Sequence, residues 1–261
     1  SEMCIRDRYG TGDYRSPALS VRQENGSRIV NFTYRSHEIY GGKKNLTPLP
    51  AVYTENDEEA QTLEILLHDS LMDTDLVLSY TVFAEMPVLT RNSRIVQKGN
   101  QKIVLERAMS ASVEFPDMDY EMVHLSGAWA RERYVKNRKL EMGIQAVQSL
   151  TGTCSSAEHN PFLALKRPHT TEDQGDVYGF SLVYSGNFLA QIEVSTFDIT
   201  RVMMGIHPEG FHWELSAGEE FQTPEVVMVY SSQGLNKMSQ TYHKLYRKRL
   251  MRGMWRDQAR P

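Results

Sequence analysis

Apolar residues recur at every second position along much of this chain, the pattern of strands with one buried face. Val30, Phe32 and Tyr34 alternate with Asn31, Thr33 and Arg35 and predict a first strand. Leu63, Ile65 and Leu67 follow an acidic turn at 55–59, and Leu76, Leu78, Tyr80 and Val82 continue the alternation. Ile103, Leu105, Met109, Ala111, Val113 and Phe115 share one parity, which Arg107 interrupts. An arginine on an apolar face needs a partner or an edge position open to solvent, because an unpaired buried charge is costly. Further on, Tyr178, Phe180, Leu182 and Tyr184 alternate, and so do Phe188, Ala190, Ile192 and Val194. The turn residues Ser185-Gly186-Asn187 between those two runs predict a hairpin. Val202 to Ile206, Phe211 to Leu215 and Glu225 to Tyr230 supply three more strands. Many short strands separated by turns indicate a mostly β fold, a sandwich or a barrel.

One segment has a different period. Leu235, Met238, Tyr242, Leu245, Tyr246 and Leu250 fall three and four apart, the spacing of an amphipathic helix. Gly253 is the expected C-terminal cap, and Arg247, Lys248, Arg249 and Arg252 suit the negative end of the helix dipole. No aromatic stacking platform accompanies this basic run, so it reads as a solvated helix end rather than a nucleic-acid patch.

Composition narrows the function classes. The 261 residues carry a net charge of −4, unlike the strongly basic footprint of a non-specific nucleic-acid binder. No apolar run approaches the roughly 18 residues that span a bilayer, and charges stand at 1–8 where a secretory signal needs an apolar stretch. The expectation is a protein that engages neither nucleic acid nor membrane. Two cysteines, Cys4 and Cys154, make no disulfide framework and point to free thiols in the cytoplasm. The run Met3-Cys4-Ile5-Arg6-Asp7-Arg8 has neither period nor turn logic and resembles a translated sequencing adaptor. Residues 1–8 are therefore expected to be non-native.

Candidate chemistry is sparse. No phosphate loop, nucleophile elbow or metalloprotease helix motif occurs, and no metal or cofactor is expected. His124, His159 and His169 are scattered and read as surface or hydrogen-bonded residues. Asp117 with Asp119 and Glu219 with Glu220 read as solvated turns rather than as a catalytic pair. The segment that stands out is His124-Leu-Ser-Gly-Ala-Trp-Ala-Arg-Glu-Arg133. An indole beside guanidinium groups can stack on a sugar's apolar face and bond its hydroxyls. A packed tryptophan with a surface ion cluster is the alternative.

Longer strings go further. Asp13-Tyr-Arg-Ser-Pro-Ala18, Gln23-Glu-Asn-Gly-Ser-Arg28, Ser36-His-Glu-Ile-Tyr40, Gly127-Ala-Trp-Ala-Arg-Glu-Arg133, His159-Asn-Pro-Phe162, the run from Val177 to Ile192 and the run from Phe221 to Ser231 resemble bacterial α-galactosidases of glycoside hydrolase family 36. The resemblance implies a large antiparallel β-supersandwich of the galactose-mutarotase type over 9–233, with its first strands missing. It also implies a helical linker over 234–261 leading to a (β/α)8 barrel that is not in this chain. The family's nucleophile lies by a Lys-Trp-Asp motif and its acid/base by a Ser-Asp-Asp motif, and neither string occurs here. No residue of this chain is therefore expected to be catalytic. Trp129, Arg131 and Arg133 match the family's sugar-pocket motif and are the expected substrate-binding residues; His159 and Asn160 match a string without an assigned role. The implied partners are α-galactoside sugars, the protein's own barrel and further copies in a homotetramer. A stand-alone carbohydrate-binding module and a purely structural sandwich are the alternatives.

Overall fold

A computed structural model describes residues 15–153 and 157–258. The first eight residues and both cysteines lie outside them. In chain order the strands are β1 (Leu19–Gln23), β2 (Thr33–Gly41), β3 (Ala60–Asp69), β4 (Thr74–Phe83), β5 (Val88–Gln97), β6 (Ile103–Phe115), β7 (Glu121–Ala128) and β8 (Arg131–Lys139). They continue as β9 (Gly143–Ser149), β10 (His159–Lys166), β11 (Val177–Val183), β12 (Phe188–Val194), β13 (Thr200–Ile206), β14 (Trp213–Leu215), β15 (Glu220–Gln222) and β16 (Glu225–Ser231). Helix α1 (Gly234–Arg249) follows.

The strands form two antiparallel sheets. One runs β1-β6-β13-β12-β9 with β14 beside β6; the other runs β2-β3-β4-β5-β16-β11-β10-β7-β8 with β15 beside β5. Their facing sides enclose a core that includes Phe115, Leu163, Phe180, Phe188, Ile192 and Val226. On the other side of the larger sheet, Met238, Tyr242 and Leu245 of α1 pack on Val177, Val227 and Val229. The three-and-four spacing of the helix is thus its sheet-facing stripe. Among the described residues, no helix is long and apolar enough to cross a membrane.

Four expectations change. The first predicted strand does not include Val30 and Phe32: they are buried in the loop before β2, whose residues are nearly all exposed at the edge of the larger sheet. The Ser185-Gly186-Asn187 turn closes no hairpin. It carries the chain from β11 in the larger sheet to β12 in the smaller, so Phe180 and Phe188 meet across the core instead of side by side. Alternation is the same for an arch as for a hairpin, which is why periodicity could not separate them. The helix ends at Arg249 with Leu250 as its cap, and Gly253, at φ 75°, opens a short 3-10 turn at 254–256.

Arg107 is the fourth. It occupies an internal strand rather than an edge, yet it does not break the apolar face. β6 slips register against β1 at Glu106 and against β13 at Ser110. Each slip is a one-residue bulge, and a bulge turns the following side chains over. Leu105 and Ala108 therefore stay inward, Arg107 and Met109 face out, and Ala111 and Phe115 point inward again. Outward-facing Arg107 reaches Gln191 Oε1 at 3.3 Å. The second bulge needs a glycine opposite it: a Cβ on Gly205 would stand 2.7 Å from the Ser110 backbone nitrogen.

Candidate functional site

The β7–β8 hairpin forms the edge of the larger sheet, and Trp129 and Ala130 are its two-residue tip between paired Ala128 and Arg131. Ala130 takes φ 64°, as such a tight turn requires, and its N–H donates to Glu132 Oε1 at 2.8 Å. Behind the tip the register slips between Ser126 and Ala128, with Arg133 at φ 62°. Gly127 sits inside this bulge. A Cβ there would lie 2.2 Å from the Arg131 carbonyl oxygen, so the close crossing of the two strands excludes a side chain.

Trp129 is 87% exposed, so its indole is not packed within the sandwich. Arg131 and Arg133 are also exposed, and among the described residues their side chains make neither an ion pair nor a hydrogen bond. All three expected binding residues thus share one tip, with an open indole and two uncommitted guanidinium forks. Lys136, Arg138 and Lys139 extend the positive charge along β8, every residue of which is exposed. An exposed edge strand rich in Lys and Arg is also protected against pairing with other chains.

Beneath the tip the structure brings together two of the three scattered histidines. His124 Nδ1 lies 2.6 Å from Ser126 Oγ, which lies 2.8 Å from His159 Nδ1. The Gly127 N–H donates to the Glu158 carbonyl at 3.0 Å and ties the same two strands together. A single hydroxyl proton serves this chain. His124 Nε2 is buried without a partner, so the arrangement that pairs every donor puts the His124 proton on Nδ1, donating to Ser126 Oγ. Ser126 then donates to His159 Nδ1. This tautomer is assigned from the network. Burial, aided by the charges of Arg138, His159 and Lys136, lowers the His124 pKa to about 4. Burial lowers that of His159 as well. His169 lies exposed after β10 and joins neither of them.

The sign of the pH effect follows. A histidine that resists protonation when folded takes its proton first in the unfolded chain, so stability is present above the unfolded pKa and falls as pH drops from 6.5 toward 4. Going from pH 7 to 5.5 should cost about 1 kcal/mol through His124, read by urea unfolding at the two pH values. A His124→Gln variant should lose that dependence.

Of the carboxylates read as solvated turns, Asp117 and Asp119 lie in the connection between β6 and β7 and Glu219 follows the turn at 217–218, but Glu220 begins β15 and pairs with Val96 of β5. Asp117 accepts two hydrogen bonds from the Arg167 guanidinium, which with backbone bonding holds its pKa down, and also accepts the Asp119 N–H. Glu219 accepts the Ser216 N–H and Glu220 pairs with Arg94. The His124–Ser126–His159 chain was not visible in the sequence, because the bulge at 159–163 decides which β10 residue meets Ser126.

The chain matches the glycosyl hydrolase family 36 N-terminal domain over residues 7–216 and the melibiase family over 220–261. The α-galactosidase AgaA of Geobacillus stearothermophilus is 54% identical over 253 residues, covering 97% of this chain and 35% of the relative. The α-galactosidase Mel36A of Lactobacillus acidophilus is 42% identical, covering 97% of this chain and 34% of its own. The crystal structure of an AgaA variant bound to 1-deoxygalactonojirimycin superposes with a TM-score of 0.96 at 53% identity, over 98% of this chain and 36% of that one. Other AgaA variants have been crystallised with raffinose and with stachyose. The chain thus spans about a third of the length of the curated relatives it matches. With its two sheets, its helix and its tryptophan hairpin, this chain belongs to glycoside hydrolase family 36, whose N-terminal domain makes up most of it.

Proposed function

We propose that this chain is the sandwich domain of an α-galactosidase and that its β7–β8 tip completes the galactoside pocket of a longer protein. The observation that carries this reading is Trp129: a large indole held 87% exposed at the tip of a bulged, tied-down hairpin. Exposing an aromatic face gains nothing for folding, whereas it gains contact area when a sugar ring stacks on it. Arg131 and Arg133 supply hydrogen-bond donors for the hydroxyls around that ring. The raffinose and stachyose complexes of the Geobacillus relative support terminal α-galactosyl groups as the substrate class.

In the parent protein the reaction is a retaining hydrolysis. One carboxylate attacks the anomeric carbon, a second protonates the departing oxygen, and water resolves the glycosyl intermediate. Lys-Trp-Asp and Ser-Asp-Asp do not occur in these 261 residues, so both carboxylates are assigned to the (β/α)8 barrel to which α1 leads. The domain's further partners are that barrel and other copies in a homotetramer, and its compartment is the cytoplasm.

The test compares this chain with a longer reading frame containing it, on an aryl α-galactoside. The longer protein should turn over and the 261-residue chain should not. Turnover by the short chain would overturn the assignment of catalysis to the barrel. A folded longer protein inactive on every α-galactoside tried would overturn the activity itself.

A further inference from the structure

A cavity of about 60 Å³ lies between the two sheets, well away from the β7–β8 tip in the sheet order. Its walls are mostly apolar, with Phe32, Leu67, Leu78 and Ile95 among them, but Arg91, Ser93 and Thr223 also line it. Arg91 is 5% exposed. Its Nε donates to the Tyr80 hydroxyl at 3.2 Å and its Nη1 to the Ser110 carbonyl at 3.2 Å, and both acceptors are neutral. The guanidinium also lies near the Tyr80 ring, 5.5 Å from its centroid. Among the described residues no carboxylate comes within ion-pair distance of it.

A guanidinium cannot shed its proton inside a protein, and a buried charge without a counter-charge is costly. The neighbouring polar groups are neutral and do not answer that charge. Thr223 Oγ1 accepts the Ser93 N–H at 2.8 Å, so its own proton points elsewhere. The Tyr80 hydroxyl accepts from Arg91, so its own proton also points elsewhere, and Ser93 adds a third hydroxyl to the wall. One cation and three hydroxyl donors around a space of a few water volumes call for an acceptor bearing negative charge. The space is too small for a sugar or a phosphate ester.

We propose that this cavity is a binding site for a small monovalent anion, a halide the size of chloride or bromide, held by Arg91 with the hydroxyls of Ser93 and Thr223. Such an ion neutralises the guanidinium inside the sandwich and couples the stability of the domain to halide concentration.

Bromide and chloride are the probes, used with the full 261-residue chain. Crystals soaked in sodium bromide should show an anomalous peak within hydrogen-bond reach of Arg91. Above the dissociation constant, Tm should rise by roughly 2–4 °C per tenfold increase in sodium chloride, relative to sodium gluconate of equal ionic strength. Arg91→Met should abolish that difference. Should Arg91→Met fail to fold, Thr223→Val keeps the guanidinium and should shift the response to higher chloride. Equal Tm in chloride and gluconate, or bromide found on the surface as an adventitious ion only, would overturn the proposal.

Discussion

Glu225→Gln is expected to destabilise this protein by about 3–5 kcal/mol, the cost of leaving a buried charge unpaired. Glu225 begins β16 on the face covered by α1, and its side chain has no solvent exposure. Lys43, 3% exposed, approaches it to 2.6 Å as an ion pair poorly aligned for a hydrogen bond. The Val52 N–H donates to the other carboxylate oxygen at 2.9 Å. Glutamine can still accept from Val52, so the substitution isolates one change: Lys43 keeps its charge and loses its counter-charge.

The partner substitution should behave differently with pH. Burial holds the Glu225 carboxyl above the usual carboxylate range against the pull of Lys43, so folding favours its protonated form. Its contribution is therefore greatest at low pH and is lost as pH rises through the folded value. In Lys43→Met the abandoned carboxyl can neutralise itself, and the loss should shrink as the solution is acidified. In Glu225→Gln acid offers no such escape. The double variant Lys43→Met/Glu225→Gln has no buried charge at this site and should recover most of the stability, as replaced ion pairs commonly do. Urea unfolding of the three variants at two pH values reads all of this. A double variant no better than Glu225→Gln would refute the account.

The same pair marks the limit of sequence reading here. Lys43 and Glu225 stand 182 positions apart, in a loop and at a strand start, and neither breaks a visible period. Alternation did reveal most of β3, β4, β11 to β13 and β16, because each shows one apolar face to the core. It set the start of β2 too early, at Val30, and was silent on β8; the residues of both are exposed nearly throughout as the outer strands of the larger sheet. It misassigned Arg107 because two bulges in β6 cancel, restoring the original parity by Ala111. For the site, the residue types at 129–133 suggested sugar chemistry but could not decide whether the indole was packed or open. That depends on the position of β8 in the sheet, which is a long-range property.

In the longer enzyme, Trp129→Ala is expected to lower kcat/KM toward an α-galactoside by roughly thirty-fold, equivalent to about 2 kcal/mol of lost contact at a central aromatic anchor. Most of this should appear in KM. On the proposed role, the indole would stack on a ring present in both ground state and transition state, so its loss should remove uniform binding and leave kcat near its original value. Tm should scarcely move, because a side chain 87% exposed contributes little to folding. Trp129→Phe should restore part of the affinity by keeping an aromatic face. The combination separates the pocket role from a purely structural one. A structural tryptophan would change Tm and leave KM alone, whereas a sugar platform changes KM and leaves Tm alone. Gly127→Ala supplies the converse test. Its Cβ would press on the Arg131 carbonyl 2.2 Å away, so the bulge must shift and the tip must move with it. It should therefore raise KM with every sugar-contacting residue still present, showing that the placement of the indole matters as well as its presence.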